Sequence, residues 1–571
     1  MKPAIVYSFK KYRLTIDRST LYVSFLFSVC STIVGFLLFS KYFLNLYNNW
    51  PGIDSPIKSF IFHLFHLINF LFEFGLYVIF VYVSLRSKYI YKILLLLFLL
   101  FCVSVEYGYI TFYDRFSTAS DVDIAIKATG EQRSEIIFGY LNFYILLILL
   151  GFIVAQIYLC KKNNFLGLKS FLLLIFLYFA HATFIYSAYK VFSLKNPSVN
   201  ARNINENLFM PLPVGLNTVI NSYFSYIIRE KTVRIPLGYQ SELKPKNNII
   251  VVVDESLRGD HLSINGYNRP TTPFLEFLKS TNILQSFGNC ASGSTASLAS
   301  NNLLIVGENI SENSDILKHS LTRPTLFQYA KAMNYKTYFF DPQKDDEWAG
   351  ISDDMKYIDH RVATKGLILD SNIPGYDIDF KVAKAVNKII NTSTGNFIYI
   401  FKRGFHYNYK GNYPENAGKW SPIIAIDEKD SKDGNKLVNT YDNSLHYNID
   451  PFFKLLLGDV SKSLLNTTIL YTGDHGEAFL EDGKSAKHGG VSKLEATVPI
   501  ILIGEKIKID TNYKASHANI LPTVLDMMKY PVSERKITYS ISLLKATGKD
   551  NLIRKYVLPD LDHVKIIDFD K

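Results

Sequence analysis

The stretch Val251-Val252-Val253-Asp254-Glu255-Ser256-Leu257-Arg258-Gly259-Asp260-His261 is an apolar strand that breaks abruptly into acidic and polar residues. Far downstream, Tyr471-Thr472-Gly473-Asp474-His475-Gly476-Glu477 repeats the pattern: apolar residues, then a carboxylate and an imidazole between glycines. Crevices of open α/β sheets form where parallel strands give way to loops. Two strands that both end in metal-type ligands therefore predict one sheet with one active site at its carboxyl edge.

The first third of the chain obeys a different rule. Five uninterrupted apolar runs, near 20–43, 59–84, 90–112, 137–160 and 168–188, each approach the roughly 20 residues that a helix needs to cross a bilayer. Basic residues are retained on the cytoplasmic side, and they cluster before the first run (Lys2, Lys10, Lys11, Arg13, Arg18), between the second and third (Arg86, Lys88, Lys92) and after the fourth (Lys161, Lys162, Lys169). This predicts a multi-pass protein with a cytoplasmic N-terminus, and everything after about residue 190 on the outer side. The first run starts late, is long and lacks a small-residue cleavage pattern, so a cleaved signal peptide is not expected.

The net charge of +11 lies largely in those cytoplasmic loops. It reads as topology and attraction to anionic membrane lipids, with no nucleic-acid partner. Of the four cysteines, Cys30, Cys102 and Cys160 fall in or beside the apolar runs, which leaves Cys290 alone in the outer part. No disulfide can form there, so stability has to come from packing and bound metal.

Three regions follow: a membrane domain over 1–190, a connector over 191–245 and a catalytic domain over 246–571. The connector is Asn-rich, is punctuated by Met210-Pro211-Leu212-Pro213, and contains the amphipathic segment 219–228, suited to lying along a membrane surface or serving as a plain tether. Beyond it, strand patterns at 248–254, 336–340, 396–402, 467–472 and 498–503 alternate with helical patterns at 272–280, 295–304, 323–333, 378–391 and 440–457. That alternation predicts a largely parallel sheet with helices on both faces.

Glu255, Asp474 and His475, with His406 and His488 in loops, form a donor set of carboxylate oxygen and imidazole nitrogen. Such a set suits Zn²⁺ and is compatible with Mn²⁺. A nucleophile is available in Cys290-Ala291-Ser292-Gly293-Ser294-Thr295-Ala296-Ser297-Leu298-Ala299-Ser300, where small residues lead into a helix. A hydroxyl near that helix start sits in a field that stabilises phosphate, and a metal ion would lower its pKa. The same position is also where Ser294 or Thr295 would merely cap the helix.

These residues resemble a known family. Glu255-Ser256-Leu257-Arg258, continuing through His261-Leu262-Ser263-Ile264-Asn265-Gly266-Tyr267-Asn268-Arg269-Pro270-Thr271-Thr272-Pro273, is similar to the opening signature of bacterial phosphoethanolamine transferases of the alkaline phosphatase/sulfatase superfamily. That family includes the lipid A modifying enzymes behind polymyxin resistance. Ser294-Thr295-Ala296 resembles its nucleophile segment, Asp474-His475-Gly476-Glu477 its metal motif and Tyr441-Asp442-Asn443-Ser444 a further signature. The plan of five membrane helices followed by a periplasmic α/β domain is also the family's.

The resemblance implies that Thr295 is the nucleophile and that it joins Glu255, Asp474 and His475 around one or two Zn²⁺. His406 and His488 match histidines that bind the phosphoryl group or a second zinc. Thr129, Glu131 and Glu135 correspond to a donor-headgroup helix, and together with Arg258 of the opening signature they are the expected substrate-binding residues. The implied reaction moves phosphoethanolamine from phosphatidylethanolamine, through an adduct on Thr295, to lipid A, a lipopolysaccharide core sugar or a surface glycan. The implied setting is the bacterial inner membrane, with the catalytic domain in the periplasm and the chain acting as a monomer. Two departures stand out. The lipid A enzymes carry a disulfide bracketing the nucleophile, where this chain has only Cys290, and the gap from His475 to His488 is longer. They point towards an acceptor other than lipid A.

Three other readings compete with this one. A phosphoglycerol transferase would share plan and ligands. A true sulfatase activity needs Pro and Arg where Ser292 and Ser294 stand after Cys290. A catalytically dead receptor or assembly factor would show damaged ligands, yet every expected one is present.

Overall fold

The computed structural model describes chiefly residues 20–29 and 73–86 of the N-terminal part and, with short interruptions, residues 234–571. The chain divides into two compact units, Met1–Glu230 and Lys231–Lys571. In the first, 20–29 and 73–86 are helical, and Phe25 meets Phe74 edge to face at 5.8 Å. Among the described residues, no helix is long and apolar enough to cross a membrane. Most of the five apolar runs, the amphipathic segment 219–228 and the loop bearing Thr129, Glu131 and Glu135 lie outside the described residues.

The second unit is built on seven strands: β1 (Asn248–Asp254), β2 (Leu284–Ala291), β3 (Lys336–Asp341), β4 (His360–Ala363), β5 (Asn396–Phe401), β6 (Thr467–Gly473) and β9 (Thr497–Ile503). They form one sheet in the order β2-β9-β6-β1-β5-β3-β4. β1 pairs parallel with β5 and β6, and β3 parallel with β5 and β4. Only β9 runs against its neighbours in this sheet, so the sheet is mainly parallel, as expected. Two short pairs complete the strands: β7 (Ala478–Phe479) with β8 (Ala486–Lys487), and β10 (Lys555–Val557) with β11 (Ile566–Asp568).

β1 reads Asn-Ile-Ile-Val-Val-Val-Asp because both its faces are covered. Every one of its residues is buried, the situation that turns an alternating strand into a continuous apolar run. Ile249, Val251 and Val253 enter one core, shared with α2 (Ser297–Val306), α3 (Leu326–Ala332) and α7 (Ile520–Met527). Ile250 and Val252 enter the other, shared with α1 (Pro273–Ser280), α4 (Ile378–Thr392), α5 (Gly434–Leu457) and the short α6 (Val460–Leu464). Each such fully buried aliphatic side chain contributes about 1.5–3 kcal/mol, and the sheet is thereby fixed between two helical layers.

The compact unit begins before the expected boundary at 246. Arg234 pairs with the buried Asp354 at 2.9 Å, Ser241 N–H donates to the Ala332 carbonyl, and Tyr239 packs on Tyr530. The end of the connector is thus built into the second unit.

Candidate active site

The register of the central ladder places the two ligand-bearing strand ends side by side. Asp254 of β1 is opposite Gly473 of β6, so Glu255 and Asp474 emerge together from adjacent strands. Ser256 then turns the chain with φ of 57°, a left-handed conformation rare for a residue with a side chain. It is held there from two sides: its N–H donates to Asp474 Oδ1 at 2.9 Å, and its carbonyl accepts the Tyr441 hydroxyl at 2.7 Å. Strain of this kind persists only where the surroundings over-determine it.

Glu255, Asp474 and His475 are all buried, and one ligand atom of each lies within 4.8 Å of the others. His475 Nδ1 bonds the Gly476 carbonyl at 2.8 Å, which presents Nε2 to Glu255 Oε1 at 3.2 Å and Asp474 Oδ2 at 3.6 Å. An imidazole tied through Nδ1 and offering Nε2 is the usual arrangement of a metal ligand. Burial and the neighbouring Glu255 charge push Asp474 up to about 8. Burial alone would raise Glu255 too, but the hydrogen bond and charge of His475 hold it well below the usual carboxylate range. His475 is desolvated, yet its acidic neighbours raise it to about 10. Two carboxylates and an imidazole that compete in this way for positive charge fit a divalent cation, and oxygen with nitrogen donors suit Zn²⁺.

Beside this trio stands a second group. His488 Nδ1 is held by Glu477 Oε1 at 2.6 Å, and Glu477 Oε2 accepts the Tyr409 hydroxyl at 2.6 Å. His406 Nδ1 bonds the Tyr407 carbonyl at 2.7 Å. The His406 and His488 rings are 5.6 Å apart, those of His475 and His488 only 4.2 Å. Both loop histidines named from the sequence are therefore gathered at the same site. Ligand atoms of Glu255, His406 and His488 form another set within 4.8 Å, as do those of His475, Glu477 and His488.

Thr295 is buried beside these groups, its loop bonded to the loop that carries His488. Its hydroxyl donates to the Gly490 carbonyl at 3.0 Å, and its own carbonyl accepts Gly489 N–H at 2.9 Å, so the Thr295 loop and the His488 loop are stitched together. The resemblance implies that this hydroxyl joins the three ligands; here it satisfies its donor on Gly490 instead. The hydroxyl that does touch the trio belongs to Ser297, 3.0 Å from both Glu255 Oε1 and His475 Nε2. Neither Ser294 nor Thr295 caps the helix, whose N-cap is Ala296. Arg258, expected to bind substrate, has its guanidinium committed to Asp260, Glu481 and the Glu477 carbonyl, so it braces the site from behind.

Several supporting residues were missed. Lys402 donates from full burial to Asp254 Oδ2 at 2.7 Å, behind Glu255, and Tyr471 donates to the same oxygen at 2.7 Å. His517 accepts Gly293 N–H on Nδ1 at 3.1 Å and faces the Gly473 carbonyl with Nε2 at 3.0 Å. The two signature stretches also meet: Asp442 accepts from His261 Nδ1, Tyr267 and Arg269 at 2.7–2.8 Å. Their spacing in the sequence gives no hint of that contact, whereas Glu477 was legible as the acidic end of its motif.

The Sulfatase family matches residues 247–530. This part of the chain is a sulfatase-family domain. Over 239 residues the chain is 24% identical to the Kdo(2)-lipid A phosphoethanolamine 7''-transferase of Salmonella typhimurium, a match covering 41% of this chain and 39% of that relative. Over 477 residues it is 24% identical to the phosphoethanolamine transferase CptA of the same organism, 76% of each chain being covered. The chain thus spans about two fifths of the length of the first curated relative it matches. Among solved structures, the integral membrane protein lipooligosaccharide phosphoethanolamine transferase A of Neisseria meningitidis shares the fold, with a TM-score of 0.60 and 17% identity over 90% of this chain and 97% of that one. The sulfatase-family domain and its curated relatives agree with the family resemblance carried by the motifs around Glu255, Thr295 and Asp474.

Proposed function

We propose that this protein transfers phosphoethanolamine from phosphatidylethanolamine to a cell-envelope acceptor, either lipid A, a lipopolysaccharide core sugar or a surface glycan. We place it in the bacterial inner membrane with the catalytic domain in the periplasm. The observation that carries the reading is the buried trio Glu255, Asp474 and His475 at the joined ends of β1 and β6, beside Thr295 and the two loop histidines. The relatives named as phosphoethanolamine transferases support the donor group.

Glu255, Asp474 and His475 would hold Zn²⁺, with His406, His488 and Glu477 available for a second ion or for the phosphoryl group. A cation bound there neutralises phosphoryl charge and lowers the pKa of a neighbouring hydroxyl. Thr295 Oγ1 leaves the Gly490 carbonyl, passes its proton to one of the two loop histidines and forms a bond to phosphorus as the bond to the glycerol oxygen breaks in line with it. His406 or His488 gives a proton to that leaving oxygen, and diacylglycerol departs. The acceptor's hydroxyl or phosphate oxygen then attacks the phosphothreonine and restores Thr295.

The test is to incubate the detergent-purified chain with phosphatidylethanolamine and phosphatidylglycerol together, then locate any adduct by peptide mass spectrometry. Phosphoethanolamine on Thr295, absent from Thr295→Ala, is the expected result. A glycerophosphate adduct would transfer the chain to the phosphoglycerol class; an adduct that survives Thr295→Ala would overturn the nucleophile.

A further inference from the structure

Helix α2 is buried nearly all round. Ala299, Leu303, Leu304, Ile305 and Val306 pack into apolar clusters on its sides. A helix in that position ordinarily carries apolar residues throughout, yet Ser297, Ser300 and Asn301 stand in its first turns. Residues three and four apart share one helix face, so these three form a single polar stripe.

That stripe is aimed at the metal-ligand trio. Ser297 Oγ donates to Glu255 Oε1 at 3.0 Å; its contact with His475 Nε2, also 3.0 Å, then uses the hydroxyl as acceptor. Ser300 Oγ donates to the Asp474 carbonyl at 2.5 Å. Asn301, fully buried, donates from Nδ2 both to Asp474 Oδ2 at 3.1 Å and to the Ser297 carbonyl at 2.9 Å. The amide orientation follows from chemistry, since the Ser297 carbonyl only accepts and the opposite flip would set oxygen against oxygen there. Asn301 Oδ1 has no hydrogen-bond partner among the described residues. A buried amide left half satisfied costs about 1–3 kcal/mol, and nothing in the packing of α2 requires it.

We propose that Ser297, Ser300 and Asn301 are positioning residues that fix the carboxylates of Glu255 and Asp474 as a preorganised ligand pair. Ser297 holds the Glu255 carboxylate and Asn301 the Asp474 carboxylate, each by one oxygen, while Ser300 anchors the Asp474 main chain, so the two side chains are aimed before any ion arrives. Partners of this outer kind are worth about 10–100-fold in metal affinity. The inference rests on the metal reading above but assigns it residues outside the ligand set.

The experiment measures zinc affinity of the full-length, detergent-purified chain by competition with a chromogenic chelator. The set is wild type, Ser297→Ala, Ser297→Thr and Asn301→Leu. The expected result is a loss of about tenfold or more for Ser297→Ala and Asn301→Leu, with Ser297→Thr restored towards wild type because it keeps the hydroxyl. A stripe with only a packing role would lower the melting temperature and leave the affinity of the folded protein unchanged, and that result overturns the inference. Ser297→Ala removes one atom from a half-buried position, so it keeps the test valid should Asn301→Leu fail to fold. Wild-type protein without zinc affinity would overturn the metal reading itself, a failure distinct from variants that bind as well as wild type.

Discussion

His517 shows how much a single buried ring settles. Its Nδ1 faces a backbone N–H and its Nε2 a backbone carbonyl, a pairing that admits only the neutral tautomer with the proton on Nε2. Burial, assisted by the charge of His475, pushes its pKa down to about 3. In the unfolded chain the same ring protonates near its ordinary value of about 6.5. Between those limits the unfolded state binds the extra proton, so stability rises with pH and is lost as pH falls through the unfolded value. From about pH 6 to about pH 4 the loss from this residue comes to about 2–3 kcal/mol. Urea unfolding at both pH values should show His517→Asn less stable than wild type near pH 6 and less sensitive to acid by that amount. An equal acid sensitivity in the variant would remove His517 from the account.

At the scale of elements, the decisive junction is where the loop after β5 passes the end of β1. Gly404 has φ of 60°, and a Cβ placed there would lie 2.6 Å from both the N and the O of Glu255. Gly404→Ala combines an unfavourable backbone conformation with overpacking against main chain, and should destabilise by about 2–4 kcal/mol. Equilibrium unfolding measures this, and a change under about 1 kcal/mol would show that the junction yields. The elements also differ in how far the sequence betrayed them. β1, β3, β5, β6 and β9 were legible because cover on both faces makes them continuous apolar runs. β2 was not: Leu-Gln-Ser-Phe-Gly-Asn-Cys-Ala lies at the sheet edge, is only partly buried and slips register between Ser286 and Asn289. α7 hid behind Pro522, which its first turn tolerates. The candidate ligands were readable from their strand ends; the stripe on α2 was not, since serine and asparagine beside Thr295 resemble loop and only packing gives them a direction.

For the whole molecule, a cation that binds the folded site and not the unfolded chain adds stability by mass action. Zinc at about a hundred times its dissociation constant should add about 2.7 kcal/mol, and chelation should remove it. Thermal melts of the full chain with zinc and with chelator test this, and coincident melts would mean that the trio binds no ion in solution. Cys290 is buried and free, with its thiol pushed up to about 12 by burial, so no cross-link in the second unit duplicates that contribution among the described residues.

The pairing of Asp254 with Gly473 carries one more implication. The spacing of Glu255 from Asp474 is dictated by two neighbouring rungs of a ladder, whatever the length of chain that connects them. Insertions, deletions or wholesale replacement of the intervening surface segments leave that spacing untouched. The rim of the site can therefore be rebuilt without moving the two carboxylates that face each other at its floor.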